Sequence, residues 1–411
     1  MTASDSSPAT PDFTASAGVA AEHPAAAPAD VALEAQQDSV HVRAPNSRGP
    51  GLLVLGIVGV VALSLVMLFV VVYLISGLGT DAFALGGVLA LAPLAVVFFA
   101  VRWIDRWEPE PRLAVVFAFL WGAGVAVLIA LIVGAEIENV VAAIGGPGPG
   151  YEFFSAAVQA PVVEEMGKAL GILVIFWVAR RHFDGPIDGL VYAAWVAGGF
   201  AFTENILYFG SELVSLDGGG VGLFQMFLVR GLMSPFAHVM FTVCVGIALG
   251  FAARSSRRPV AVVMFVVGLG LAIALHALWN GALFFVNDFF GYYAIVQFPL
   301  FMIAIVIVIY LRKQEEKLTF DRLAEYASAG WFNHEEVAVL ATRRGRRQAL
   351  VWAARHNKYP AMKTYIHDAT RLAFARQRII TGRDRIGATA DEALLLGAVV
   401  EARHVLLGRQ P

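Results

Sequence analysis

Nine polar residues stand in stretches otherwise apolar enough for a bilayer. Glu164, Glu165 and Lys168 lie in APVVEEMGKALGILVIFWVA (160–179), and Glu204 and Asn205 in GGFAFTENILYF (198–209). Arg230 and His238 lie in LVRGLMSPFAHVMFT (228–242), and His276 and Asn280 in ALHALWNGALFF (274–285). An ionisable side chain inside a membrane is costly and is a functional-site hypothesis by default. Carboxylates together with imidazoles are ligands for zinc and comparable metals. A divalent metal with an open position brings a bound water toward neutral pKa, and a spare Glu serves as base and then acid. Glu164 and Glu165 point about 100° apart on a helix, so both cannot face one ion equally. Glu164 and Lys168 share a face at four residues' spacing, as do His276 and Asn280. Asn280 suits a substrate carbonyl or an oxyanion. No HExxH pattern is present, which excludes a zincin. The bland readings stand beside these: an isolated His or Asn205 as interhelical glue, and Arg230 snorkelling outward.

These residues need helices to carry them. The chain has 411 residues, 58% hydrophobic and 15% charged, with a mean hydropathy of +0.69. Soluble domains carry about a quarter charged residues, so the expected fold is an all-α polytopic membrane bundle. A span needs roughly 20 apolar residues. Eight runs qualify, near 52–75, 82–101, 113–134, 156–179, 189–209, 223–252, 260–286 and 292–311, and Pro235 is placed to break the sixth. Loop charges alternate throughout. Arg43 and Arg48, then Arg102, Arg106 and Arg112, then Arg180 and Arg181, then Arg254, Arg257 and Arg258, and finally Arg312, Lys313 and Lys317 mark one side. The loops near 76–81, 135–155, 210–222 and 287–291 hold no Lys or Arg but carry Asp81, Glu136, Glu138, Glu152, Glu212, Asp217 and Asp288. The positive-inside rule then places both termini in the cytoplasm. With that topology Glu164, Glu204, His238 and His276 fall roughly 8 to 22 Å below the outer boundary, at 1.5 Å per residue. The four neighbouring helices 4 to 7 carry the whole costly set, as expected for one shared polar cavity in the outer half of the bilayer.

Residues 1–50, rich in Ala, Pro, Ser and Asp, have little to bury and are expected to be a disordered cytoplasmic tail. They lack the layout of a cleaved signal peptide. Residues 51–311 form the expected transmembrane domain. Residues 312–411 carry 18 Lys and Arg against 11 Asp and Glu, and helical apolar spacing recurs in them, so they read as a basic helical cytoplasmic region. The RRGRR cluster (343–347) reads either as a solvated basic loop or as a contact for anionic lipid heads. The single cysteine, Cys244, excludes disulfides and cysteine-rich zinc sites.

The motifs, in order, resemble those of the PrsW family of intramembrane proteases, within the superfamily of type II CAAX prenyl proteases. They are the loop IDRWEPEP (104–111), the EExxK of EEMGK (164–168), the FxxxEN from Phe200 to Asn205, a His-bearing helix with His238, and the HxxxN of HALWN (276–280). The resemblance covers roughly residues 80 to 311. It implies proteolysis of single-pass membrane proteins, such as anti-sigma factors, on the extracytoplasmic side in regulated stress signalling at the plasma membrane. By motif, Glu164 and Glu165 would include the water-activating base. Glu204, His238 and His276 would hold a divalent metal, zinc first among candidates, or position the water. Asn280 would stabilise the oxyanion, with Lys168 and Asn205 in support. The resemblance also admits metal-free activation of water by Glu and His. At the position of the FxxxH histidine of CAAX relatives this chain has Glu204. The partners implied are a membrane-protein substrate and the bilayer, with no nucleic acid. Two rival readings use the same residues differently. A proton- or ion-coupled transporter would use them as a relay, although no internal repeat of the kind transporters show is visible. A non-catalytic scaffold would tolerate their replacement.

Overall fold

The computed structural model describes residues 50–215, 220–382 and 385–408; the tail expected over 1–50 lies outside these up to residue 49. Among the described residues the regular elements are all helices, with no strand. The chain divides into two compact units between Lys313 and Gln314, the short segment Thr381–Asp384 belonging with the first.

The first unit contains α1 (Pro50–Leu78), α2 (Thr80–Ile104) and α3 (Arg112–Ala143). α4 is continuous through Tyr151–Phe154, Ser155–Gln159 and Ala160–Val178. It is followed by α5 (Pro186–Ser215), α6 (Val221–Ala253), α7 (Arg258–Ala282) and the membrane part of α8 (Phe289–Ser328). Among the described residues seven of these helices are long and apolar enough to cross a membrane. The eighth expected span, α4, has the length but carries Glu164, Glu165 and Lys168 along it. The protein is a multi-pass membrane protein, and its helical spans satisfy their backbone groups largely within each helix. α1 leaves side chains such as Leu65 and Val58 exposed, as lipid-facing surface requires.

α5 sits at the centre, packed against α2, α3, α4 and α6. It is the least apolar span and the most buried, because its surface meets protein rather than lipid. Small residues allow the close approach: Gly189 on α5 and Gly246 on α6 face each other, and each glycine's carbonyl oxygen occupies the space a Cβ on the other would need. Four helices loosen into wider i→i+5 turns, at Trp121–Ala126, Ser155–Gln159, Tyr293–Gln297 and Phe227–Met233. α6 breaks after the last of these, before Ala237, where Pro235 interrupts the hydrogen-bond ladder.

The loop between α2 and α3 is pinned to α5. The Tyr192 hydroxyl donates to Glu110 Oε2 at 2.5 Å, and the Glu110 amide donates to Asp105 Oδ1 at 3.1 Å. Burial pushes the Asp105 carboxyl up to about 7, against the smaller opposing effects of the Glu110 amide and Arg102. Burial also raises Glu110 well above the carboxylate range. Asp188, in the first turn of α5, accepts from the Asp184 and Gly185 amides at 2.9 and 2.7 Å.

The second unit comprises the end of α8 with α9 (His334–Leu340), α10 (Arg343–Arg355), α11 (Tyr359–Thr381) and α12 (Arg385–Leu407). It has its own core, including Leu323, Leu340, Tyr365, Leu372 and Leu395. The RRGRR cluster is not a loop. It forms the first turn of α10, capped by Thr342. Arg346 is buried there and donates to the Leu340 carbonyl and to Thr370 Oγ1, both at 2.6 Å.

Candidate functional site

The polar residues of α4 to α7 converge on one cavity of about 680 Å³. Its walls come from the start of α4 (Tyr151, Ser155, Ala156), the later part of α5 (Ala201, Tyr208), the start of α6 (Met226, Val229) and the turn just after α7 (Leu283, Phe284). Those are the helix ends that the loop charges assign to the outer side. Two of the four wider turns lie at this mouth, and such turns recur at functional sites.

Two histidines are each held by a carboxylate on one ring nitrogen. His238 Nε2 lies 2.7 Å from Glu204 Oε2. Arg230 Nη2 reaches the same oxygen at 2.5 Å and its Nε donates to Asn205 Oδ1 at 2.9 Å. A carboxylate paired with a guanidinium is an acceptor, so Nε2 of His238 carries the proton and Nδ1 keeps the lone pair. His276 is arranged the opposite way round. Its Nδ1 lies 3.1 Å from Glu165 Oε1, and its Nε2 is left facing Glu164 Oε2 at 3.9 Å. Phe241 stacks on the His276 ring, with centroids 4.8 Å apart, and fixes its plane. Each imidazole thus presents one nitrogen inward while a carboxylate orients it from behind, the usual arrangement around ligating histidines.

The adjacent glutamates have different surroundings. Glu165 has a side-chain exposure of 0% and accepts from Lys168 Nζ at 2.8 Å and from Thr242 Oγ1 at 2.8 Å, besides holding His276. Glu164 has 12% exposure, lines the cavity, and meets Lys168 Nζ at 3.3 Å. The 100° between them on the helix puts one in the cavity and the other behind its wall. Lys168 is fully buried. Its ammonium also reaches His238 Nδ1 at 3.1 Å and lies 3.9 Å from the centre of the Phe200 ring.

Glu164, His238 and His276 each offer one donor atom, and the three atoms lie within 4.8 Å of one another. Two imidazoles and one carboxylate make a donor set used by catalytic zinc. The 3.9 Å between two acceptors, His276 Nε2 and Glu164 Oε2, is a gap that a cation spans, since zinc bonds to such atoms run about 2.0–2.2 Å. The residues therefore fit a divalent metal, with Lys168 as the one group standing among the donors. Glu204, expected among the ligands, stands outside this set and against His238. Asn280 lines the cavity and donates from Nδ2 to the Ala156 carbonyl of the wider turn at 2.9 Å. Asn205 is buried against Arg230.

Sequence reasoning missed four contributors. Arg230, read as snorkelling outward, turns inward onto Glu204 and Asn205 and lies 4.0 Å from the Tyr208 ring. Its signal was the pair of acceptors at equal depth on α5. Thr242 lies one turn from His238 on α6, a spacing that could have found it. Phe200 enters the sequence reading only as the first residue of FxxxEN, with no contact to Lys168 implied, and Phe241 carried no signal beyond apolarity.

Residues 110–309 match the profile described as PrsW family intramembrane metalloprotease. Three curated relatives named Protease PrsW are each 34% identical to the chain. The relative from Clostridioides difficile (strain 630) aligns over 160 residues, 38% of this chain and 62% of its own length. The one from Geobacillus kaustophilus (strain HTA426) aligns over 149 residues, 36% and 58%. The one from Bacillus subtilis (strain 168) also aligns over 149 residues, 36% and 60%. The chain thus spans about three fifths of the length of these relatives. No solved structure matches it. The matched segment contains every residue of the cavity cluster, and over that segment the chain is similar to the PrsW family of intramembrane metalloproteases.

Proposed function

We propose that the protein is a membrane-embedded endopeptidase, a hydrolase that cuts single-pass membrane proteins near the extracytoplasmic face of the plasma membrane in regulated proteolysis. Anti-sigma-factor-like proteins are the substrate class the family resemblance suggests. The observation that carries this reading is the pair of carboxylate-held histidines presenting inward nitrogens to Glu164 in a cavity of about 680 Å³. Loop charges support a cytoplasmic position for both termini and an outward-facing cavity mouth.

Glu164, His238 and His276 would hold the metal, and zinc suits two imidazoles and a carboxylate. A divalent ion there supplies a Lewis acid that brings water toward its conjugate base at neutral pH. The chain's own groups do the rest. Glu165 and Glu204 fix the ring orientation and tautomer of His276 and His238. Glu164 is the carboxylate with access to the reacting water, and its second oxygen takes the proton and returns it to the leaving amine. One N–H of Asn280 is tied to Ala156, and the other is left for the developing oxyanion. Small residues in the wall, Ala156, Ala160 and Ala201, leave room for an unwound peptide backbone.

The test compares new protein N-termini in membranes of cells making wild type or Glu164→Gln at equal abundance. Cuts near the outer ends of single-pass proteins that disappear in the variant support the protease and identify its substrate. Identical N-termini under several envelope stresses would sink it, and the transporter reading of the same residues would then take its place.

A further inference from the structure

Lys168 is more than a counter-charge for the glutamate pair. Its ammonium has three N–H donors and three acceptors around it: Glu165 Oε1 at 2.8 Å, His238 Nδ1 at 3.1 Å and Glu164 Oε2 at 3.3 Å. Two of those acceptors belong to the donor set Glu164, His238 and His276. An imidazole nitrogen has one in-plane lone pair. With Nε2 of His238 committed to Glu204, the lone pair on Nδ1 is already used by Lys168 and cannot serve an ion at the same time.

We infer that Lys168 is a tethered competitor for the metal position: its ammonium occupies the coordination space of Glu164 and His238, and must draw back before a divalent cation is held there. This rests on the metal-dependent reading of the site. The geometry gives the lysine somewhere to go. Its third acceptor, Glu165, is outside the donor set and is held in place by Thr242 and His276. A pivot onto Glu165 frees both ligands without expelling the ammonium into lipid. The Phe200 ring, 3.9 Å from Nζ, offers a second stabilising surface for the displaced cation. In the closed arrangement the lysine supplies the positive charge that keeps Glu164 and Glu165 from repelling each other in a low-dielectric site. The donors are thus assembled before any metal arrives, and metal affinity is lowered by the competition.

The experiment uses the purified full-length protein in detergent, dialysed against buffered zinc, with bound zinc measured by mass spectrometry. Wild type is compared with Lys168→Gln and with the double variant Glu165→Gln/Lys168→Met. The double variant removes the buried pair together and guards against a misfolded single variant. Monodisperse elution and a cooperative melt establish folding, and Glu164→Gln on the Lys168→Gln background shows whether the zinc is in this site. The expected result is half-saturation at a free zinc concentration at least about tenfold lower without the lysine, the scale on which neighbouring groups tune metal sites, with the gain lost when Glu164 is also replaced. Zinc bound only by the variants, and only with Glu164 present, supports the same conclusion. Equal or weaker binding in the folded variants overturns the competition and leaves the metal site standing. No binding in any variant overturns the metal-dependent reading and the competition with it.

Discussion

Replacing either of the adjacent glutamates by glutamine removes one charge, yet the two changes should have very different effects on stability. Glu165 is fully buried and accepts from Lys168, His276 and Thr242 at 2.8, 3.1 and 2.8 Å. A carboxamide in its place can still accept through its oxygen, but it carries no charge, so the buried Lys168 ammonium loses the counter-ion 2.8 Å away. Breaking a buried ion pair from one side costs about 3–5 kcal/mol. The lower end applies here, because Lys168 keeps Glu164 at 3.3 Å. Glu164 borders the cavity, and its glutamine can still accept from Lys168, so its replacement costs about 1 kcal/mol. At about 2–4 °C per kcal/mol for a unit of this size, Glu165→Gln should lower the melting midpoint by roughly 6–12 °C and Glu164→Gln by no more than roughly 4 °C. Thermal unfolding in detergent, followed by loss of the monodisperse peak, reads both. Adding Lys168→Met to Glu165→Gln should recover at least half of the loss, since the stranded ammonium is the main cost. Equal shifts, or a larger one for Glu164→Gln, would refute the assignment of Glu165 as the buried orienting carboxylate and Glu164 as the cavity-facing one.

The loop carboxyl Asp105 provides a pH test. Its folded pKa is about 7 against an ordinary 3.8, so the folded state holds the proton more tightly than the unfolded chain. Its contribution is most favourable below about pH 4 and is lost as pH rises toward 7. Asp105→Asn, which keeps an oxygen for the Glu110 amide, should match wild type in melting midpoint near pH 4 and exceed it at pH 8; a constant gap across that window would rule out the buried carboxyl as the cause. Gly246→Val places a branched side chain where the Gly189 carbonyl lies, and overpacking of this kind costs about 1–3 kcal/mol. It should lower the melting midpoint by several degrees, and an unchanged midpoint would mean that α5 and α6 do not approach so closely. Arg230→Lys keeps the charge but cannot reach Glu204 and Asn205 together, because its donors are not held in a planar fork. Cleavage by this variant should fall by about tenfold or more, a typical effect of disturbing groups behind metal ligands, and full activity would remove Arg230 from the site.

The bundle and the site were legible to different degrees because they rest on different physics. A bilayer imposes one length and one polarity on every span, so eight apolar runs and alternating loop charges follow from composition alone. The same pressure makes each intramembrane charge conspicuous. Glu164, Glu165, Lys168, Glu204, His238, His276 and Asn280 all appear around one cavity or directly behind its wall. The division of labour among them did not follow from spacing. An angle of 100° separates Glu164 from Glu165, but the helix's rotation decides which faces inward, and packing across α4, α5 and α6 sets that rotation. Glycine contacts such as Gly189 with Gly246 settle it, and they are pairings between distant positions with no local signature. The same limit applies to Arg230, which reads as a snorkelling residue until α5 brings Glu204 and Asn205 beside it. An arginine near a span's end is free to reach water only when no acceptor lies nearer at its own depth. The two acceptors at equal depth on the preceding helix were therefore the feature that distinguished a structural partner from a surface charge.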